Sequence, residues 1–483
     1  MKSWMRWSGF ACAVAAVAGA SVSGCGSDSS SSTTTSGASG SGTSSSSATG
    51  TGGTGGGSST AASSTTGSSG TGGGTTGSGT SGSSASSTGT GINPGAPFTS
   101  QGDASYEAQT SIAADSKGGV VAAWIGFFAD NTSAIGYAVS RDEGKTFTPP
   151  AYIKSPGGRF ADNPVVVADG QGRFSLAWLG FRYDFNAPDE HIYFSRLNAA
   201  TETFPDPIVA SDDGTSTTRD FNKPAITVDG NDNVLLTWAD FTGSNQGTPA
   251  SITLARSADG ATFTRSTITN DSTFGNLAYL CVDRTAGATA PLYLVHLGPS
   301  STVTLRRSTD QGVKWEILPA PATNVIYQDI TCAAHGSDLW ITYASGTAQF
   351  VPGNNTPGDA VSVVHSANGG NTFDAVVKAS NGAAGTLYLF PRITRSPLGA
   401  LEIVYYEGTV GTAAKLMHAT SPTGATWTVS KLADPGMFTL DRTIPSWLGD
   451  YLGLATTAKG LFSSYTENTQ NKAHIGFAKI TAP

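Results

Sequence analysis

Ser140-Arg141-Asp142-Glu143-Gly144-Lys145-Thr146-Phe147 decides how the chain is read. A serine and an aspartate two residues apart offer acceptors to the backbone N–H groups of a tight turn. The glycine permits a positive φ, and the aromatic residue leaves the turn ready to pack. The pattern returns as Ser308-Thr309-Asp310-Gln311-Gly312-Val313-Lys314-Trp315, and with Asn at the Asp position as Ser366-Ala367-Asn368-Gly369-Gly370-Asn371-Thr372-Phe373. It is one residue shorter in Ser257-Ala258-Asp259-Gly260-Ala261-Thr262-Phe263, degenerate in Ser421 to Trp427, and weakest between Ser195 and Phe204.

Around each turn the sequence repeats about every 55 residues, a period that marks a repeat architecture. A short apolar run ending in Asp or a polar turn opens each copy, as in Ser111 to Asp115, Val165 to Asp169, Ala225 to Asp229 and Tyr279 to Asp283. Divergent openings are Thr331 to His335, Arg392 to Ser396 and Leu452 to Thr456. A second apolar run comes next, such as Val120 to Trp124 or Leu461 to Tyr465, and then a third run leads into the turn. Aromatic and β-branched residues fill these runs, and no long stretch carries the helical period. Seven copies of a four-stranded unit that cannot bury its own faces imply an all-β, seven-bladed β-propeller. The last copy ends at Ile480 without a fourth strand, and the segment near Ala96-Pro97-Phe98-Thr99 is expected to supply it and close the ring.

The turn resembles, position for position, the Asp box of the sialidase superfamily, also called the bacterial neuraminidase repeat. Active members of that family have six blades, so a six-bladed ring with an irregular appendage is the alternative architecture. The resemblance also implies that the turns occupy one face and that ligands sit on the other, near the axis. There the residues entering the first strands matter: Tyr106 and Glu107, Arg159 and Asp162, Arg219 and Asp220, Tyr327 and Asp329, Arg392, and Arg442 with Asp450 and Tyr451. Trp447 to Ala455 contains a Gly-Asp-Tyr segment similar to one frequent in sialidase-like repeat proteins.

A sialidase needs an arginine cluster for the sugar carboxylate, a Tyr nucleophile activated by Glu, and an Asp acid. The resemblance implies Arg159, Arg219 and Arg392 as the cluster, with Arg442 in reserve, Tyr451 as nucleophile, Glu107 as its partner and Asp162 as acid. The family's first arginine belongs to a Phe-Arg-Ile-Pro-like motif ahead of the first box, whereas Tyr106 to Ile112 contains no arginine. Similar letters, Leu389-Phe390-Pro391-Arg392-Ile393, fall in the sixth copy. Three readings therefore stand: recognition of glycans or protein partners at the axial face, exo-acting hydrolysis of sialidase type, and mutually paired charges lining a channel.

The amino terminus has the parts of a secretory signal, with Lys2 and Arg6 before the apolar stretch Phe10 to Val22. Val22-Ser23-Gly24-Cys25 resembles the bacterial lipobox, which implies cleavage after residue 24 and a lipid on Cys25. Gly26 rather than Asp comes next, so the outer membrane or cell surface is the expected address in a cell with two membranes. Residues 25–92 form a Ser/Gly/Thr tether whose only charge is Asp28. Such a segment cannot offset its ordering entropy, and about 65 flexible residues span roughly 45 Å. The propeller is assigned to residues 93–483.

Of the cysteines left after processing, Cys281 and Cys332 fall at similar places in successive copies. They are open either to pairing or to burial as free thiols, since spacing alone does not fix the geometry. A formal net charge of −8 without basic runs argues against nucleic acid. The sequence shows no transition-metal or cofactor signature. The acidic loops Ser211 to Gly214 and Asp229 to Asp232 read as solvated turns before weak calcium sites. A monomer is expected.

Overall fold

The computed structural model describes residues 92–93, 104–182, 189–212, 219–242, 251–269, 277–326, 329–346, 358–382, 386–409, 413–440, 445–469 and 471–481. Cys25, the tether as far as residue 91 and Ala96 to Thr99 lie outside them. The strands pair into seven antiparallel four-stranded sheets, so the count is seven blades. The innermost strands are Tyr106–Ala114, Phe160–Ala168, Phe221–Val228, Ala278–Val282, Thr331–His335, Leu387–Arg395 and Ala455–Thr457, in blades 1 to 7. In the last blade the inner strand starts three residues later than the sequence reading placed it.

The second strand of each blade explains why its sequence is apolar rather than alternating. Every residue of Phe174–Phe181 is buried, and in Val120–Phe127 all but the last are buried. Both faces of these strands are covered, as a sheet sandwiched between neighbours requires. In blades 2, 4 and 5 the outermost strands are very short, Ile208–Val209, Glu316–Ile317 and Val377–Lys378, which leaves little free edge there.

Blade 7 takes its fourth strand from the other end of the chain. Ile92 pairs with Ile480 and Asn93 with Lys479, four residues upstream of the stretch expected to close the ring. Across the seam, Lys459 and Lys479 both reach Glu143 of the first turn, and Phe147 packs edge-on against Phe477 at 5.0 Å. The first and last repeats are thus in contact.

The turns make the blades adhere. In blade 1 the Ser140 hydroxyl donates to Asp142 at 2.8 Å and accepts from the Gly144 N–H at 2.9 Å. Asp142 Oδ1 accepts from the N–H groups of Lys145 and Thr146 at 3.0 and 2.9 Å. The Thr146 hydroxyl, donating to Oδ2 at 2.7 Å, acts most strongly, and with these bonds it holds the Asp142 carboxyl well below the usual carboxylate range. Blades 3 and 4 repeat the pattern with Asp259 and Asp310, and blade 5 repeats it with Asn368 accepting from the Thr372 N–H at 2.9 Å. In blade 2, where the sequence pattern is weakest, Asn198 takes over by accepting from the Ala200 N–H at 2.9 Å.

Each turn then docks on the blade before it. Phe204 meets Tyr137 at 4.9 Å and Phe263 meets Phe194 at 5.1 Å, both edge-on. The turn glycine is needed twice over at Gly312. Its φ is +90°, and a Cβ there would lie 2.4 Å from Leu254 Cδ2 of the preceding blade.

Cys281 and Cys332 are joined, with Cα atoms 5.8 Å apart, which settles the choice that sequence spacing left open. The bridge ties the innermost strands of blades 4 and 5.

Two outcomes are expected. Gly312→Ala should destabilise the chain by roughly 1–3 kcal/mol through strain at positive φ and the close contact, read as a lower chemical denaturation midpoint. Reducing the Cys281–Cys332 bond, which closes a 51-residue separation, should cost about 2–4 kcal/mol in the same measurement. An unchanged midpoint in dithiothreitol would rule out the second.

Candidate site at the propeller axis

Four of the seven innermost strands are interrupted at the same place. The pairing register shifts between Ala108 and Ser111, Asp162 and Val165, Asn222 and Ala225, and Leu389 and Arg392. In each gap sits a non-glycine residue with positive φ: Gln109 at 58°, Asn163 at 52°, Lys223 at 50° and Phe390 at 54°. Three of these precede a proline, Pro164, Pro224 or Pro391, whose missing N–H breaks the ladder. Left-handed backbone at such residues costs about 1–3 kcal/mol each, a cost that gathers where side chains are re-aimed for function.

The bulges surround a chamber on the axis. Its volume is about 160 Å³, and all seven blades contribute to its wall, including Thr110, Val165, Ala225, Tyr279, Thr331, Arg392 and Tyr451. Pockets for drug-sized ligands run to roughly 300–1,000 Å³, so this chamber suits one small group rather than an extended chain.

Blades 3 and 7, not neighbours in the ring, meet across the axis beside this chamber. Lys223 forms an ion pair with Asp450, and its ammonium lies 5.2 Å from the centre of the Tyr451 ring. The Tyr451 hydroxyl donates to the Pro224 carbonyl at 3.2 Å. Gly449 makes this approach possible, because its backbone lies against Gln109 and a Cβ would fall 2.6 Å from the Gln109 Cα.

Arg392 completes the layer. Its guanidinium carbon lies 4.4 Å from the Tyr279 ring centre and 5.3 Å from that of Tyr451, and its Nε donates to the Leu452 carbonyl at 3.0 Å. Burial brings the Arg392 pKa down to about 9. Asp329 is buried, and desolvation, reinforced by the charge of Asp450 and opposed by Lys223, pushes its carboxyl well above the usual range. Burial also raises the Tyr451 hydroxyl well above its ordinary value. Arg392 acts against that shift, and Asp329, Asp450 and Asp162 add to it.

Several buried polar atoms in this layer have no hydrogen-bond partner among the described residues: both amide atoms of Gln109, Asn163 Oδ1, Asp329 Oδ1 and Arg392 Nη1. Folded proteins leave few such atoms unsatisfied.

Of the residues singled out from the sequence, Tyr451, Arg392, Asp450, Asp162 and Asp329 come to this one place. Glu107, Arg159 and Arg219 are held elsewhere. Glu107 accepts from Trp124 Nε1 and the Tyr152 hydroxyl, each at 2.7 Å, and burial raises its carboxyl to about 7. Arg159 pairs with Asp189, which also holds His191 at 2.9 Å, and Arg219 pairs with Asp212 at 2.9 Å. Arg442 lies outside the described residues. Among the described residues the three arginines are held by different groups, Arg159 by Asp189, Arg219 by Asp212 and Arg392 by the Leu452 carbonyl, and the Tyr451 hydroxyl meets a carbonyl oxygen. Lys223 and Gln109 were not singled out. The signal for Lys223 was the recurring X-Pro at the entrance of an inner strand; Gln109 carries none, since Thr110 stands where the others have proline. The Asp229 loop is a closed turn whose carboxylate accepts from Asn231, Asn233 and Arg256.

No family model matches the sequence, and no curated protein matches it. Among solved structures, a protein of unknown function from Dyadobacter fermentans is similar at 15% identity with a TM-score of 0.46, over 81% of this chain and 100% of that one. A Hadza microbial sialidase is similar at 12% identity with a TM-score of 0.44, over 78% and 66% of the two chains. The intramolecular trans-sialidase from Ruminococcus gnavus gives 15% identity and a TM-score of 0.40, over 81% and 97%. The seven-bladed architecture is read from this chain's own strand pairing, and likenesses this distant add nothing about activity.

Proposed function

We propose that the chain is a surface-anchored propeller that recognises a glycan at its axial face without cleaving it. One observation carries this reading: polar side chains from six blades converge at the axis, strained backbone holds Gln109, Asn163 and Lys223 there, and several buried hydrogen-bonding atoms are left without a partner among the described residues. Sugars present hydroxyls that both donate and accept, and an arrangement of fixed donors and acceptors on a rigid scaffold suits them.

Hydrolysis of sialidase type is the less supported reading. A nucleophilic Tyr needs a base within hydrogen-bond reach, and here the Tyr451 hydroxyl donates to Pro224 while Glu107 is held by Trp124 and Tyr152. Burial and neighbouring carboxylates oppose the ionisation that such a nucleophile requires.

The lipobox-like Val22 to Cys25 and the tether support anchorage, with Cys25 as the lipidated residue and a partner presented outside the cell.

On an oligosaccharide array the purified chain should bind a subset of glycans saturably. Arg392→Ala should weaken that binding by about tenfold or more through loss of a charged donor. No fluorophore should be released from a fluorogenic sialoside; turnover that disappears in Tyr451→Phe would reinstate the hydrolase. In cells fed labelled palmitate, Cys25→Ser should abolish labelling of the chain, and persistent labelling would remove the proposed anchor site.

A further inference from the structure

Arg392 is the one charged side chain among the described residues that line the axial chamber. Its guanidinium is buried, its Nε is taken by the Leu452 carbonyl, and its Nη1 has no hydrogen-bond partner among the described residues. Burial works against its charge, and the group that supports the charge is not a carboxylate but Tyr451, whose own hydroxyl ionises only well above its ordinary value. The carboxyl groups of this layer are placed elsewhere. Asp450 is paired with Lys223, desolvation pushes Asp329 toward its neutral form, and Asp162 Oδ1 accepts from the Asn163 backbone N–H at 2.8 Å. None of the three lines the chamber. A lone cation in such surroundings is costly unless an anion accompanies it.

Most of the hydroxyls in the wall are already used. That of Thr331 donates to the Pro391 carbonyl at 3.0 Å and accepts from the Ile393 N–H at 3.1 Å, and that of Tyr451 donates to the Pro224 carbonyl. Ser111 accepts from the Val166 N–H at 3.1 Å, and no described residue takes its own O–H. Arg392 and Ser111 thus bring donors to the chamber from blades 6 and 1, while Ile112, Val165, Ile226, Ile393 and Leu454 give it apolar wall. Two donors in a largely apolar enclosure suit a species that only accepts hydrogen bonds and gives up its water cheaply.

We propose that the axial chamber holds a free monovalent anion of halide or nitrate size, which neutralises Arg392. At about 160 Å³ the chamber has room for one such ion with a few waters. One guanidinium balances one charge, so a dianion such as sulfate would enter with its second charge unmatched. The ion also braces the ring, because Arg392 of blade 6 lies against Tyr279 of blade 4 and bonds to Leu452 on the way into blade 7. It is held whether or not a sugar binds, so failure of glycan recognition would leave the site standing.

The test uses the purified chain without sugar. Its urea denaturation midpoint is followed against sodium bromide, nitrate and sulfate, with sodium gluconate keeping the ionic strength constant. Bromide and nitrate are expected to raise the midpoint along a saturating curve, whereas sulfate, acting by exclusion from the surface, should raise it without saturating. Arg392→Gln should weaken bromide by about tenfold or more, and Ser111→Ala by about threefold to tenfold. Crystals soaked in bromide should show its anomalous scattering beside Arg392, a measurement on the unaltered chain that decides the matter should Arg392→Gln fail to fold. A midpoint that does not saturate with bromide or nitrate, saturation that survives Arg392→Gln unchanged, or bromide absent from the neighbourhood of Arg392 each overturns the site.

Discussion

Every blade carries a second strand that is buried on both faces and in most blades largely apolar, and a sheet of that kind has no stable existence beside water. Each must be covered on two sides by other sheets, so the chain cannot stop adding blades until the last meets the first. Burying a large apolar side chain contributes about 1.5–3 kcal/mol, and Trp124, Trp178 and Trp238 are each almost fully buried in such strands. The ring is the arrangement that leaves no sheet face uncovered. Pairing of Ile92–Asn93 with Lys472–Thr481 and the reach of Lys459 and Lys479 to Glu143 are the local means by which it closes.

That constraint was legible because it is written in repeats. Where it occurs, the Ser-x-Asp turn announces the passage from a blade's third strand to its outermost one and, through its glycine and aromatic residue, how the blade leans on the previous one. Blade 2 was harder to read because Asn198 supplies the acceptor from a position the pattern does not include. The inner strand of blade 7 was placed too early for a related reason. Leu452 and Leu454 look like strand residues, yet with Tyr451 they line the axial chamber before pairing begins at Ala455. The bond between Cys281 and Cys332 depends on the approach of two strands in different blades, a distance no spacing encodes.

The site was legible in part. Charged and aromatic residues at strand entrances pointed to the axis, and Tyr451, Arg392, Asp450 and Asp162 do gather there. Their roles could not be read the same way, because roles depend on partners. Glu107 and Tyr451 enter neighbouring blades, yet Glu107 lies within hydrogen-bond reach of Trp124 and Tyr152 in its own blade. Lys223 escaped notice because simple alternation along a strand does not foresee a bulge. One extra residue with positive φ reverses the facing of the strand residues after it, so the pattern breaks at the positions that carry the chemistry.

The pair across the axis also bears on why the layer is polar at all. Lys223 is buried while Asp450 is partly exposed, and an ion pair that takes a charge out of water seldom stabilises a fold more than apolar residues of the same volume would. An apolar plug would seal the axis with ordinary backbone, whereas Lys223 requires a φ of 50° ahead of Pro224, and Asp450 requires Gly449 to lie against Gln109. Stability alone therefore does not account for the arrangement. A fixed polar surface does account for it: the pair sets the positions of Tyr451 and, through it, of Arg392, while the surrounding sheets supply the rigidity that a flexible loop would lack. The propeller's closure and its site are in this sense one design, since only a closed ring can bring residues 223 and 450 together across its axis.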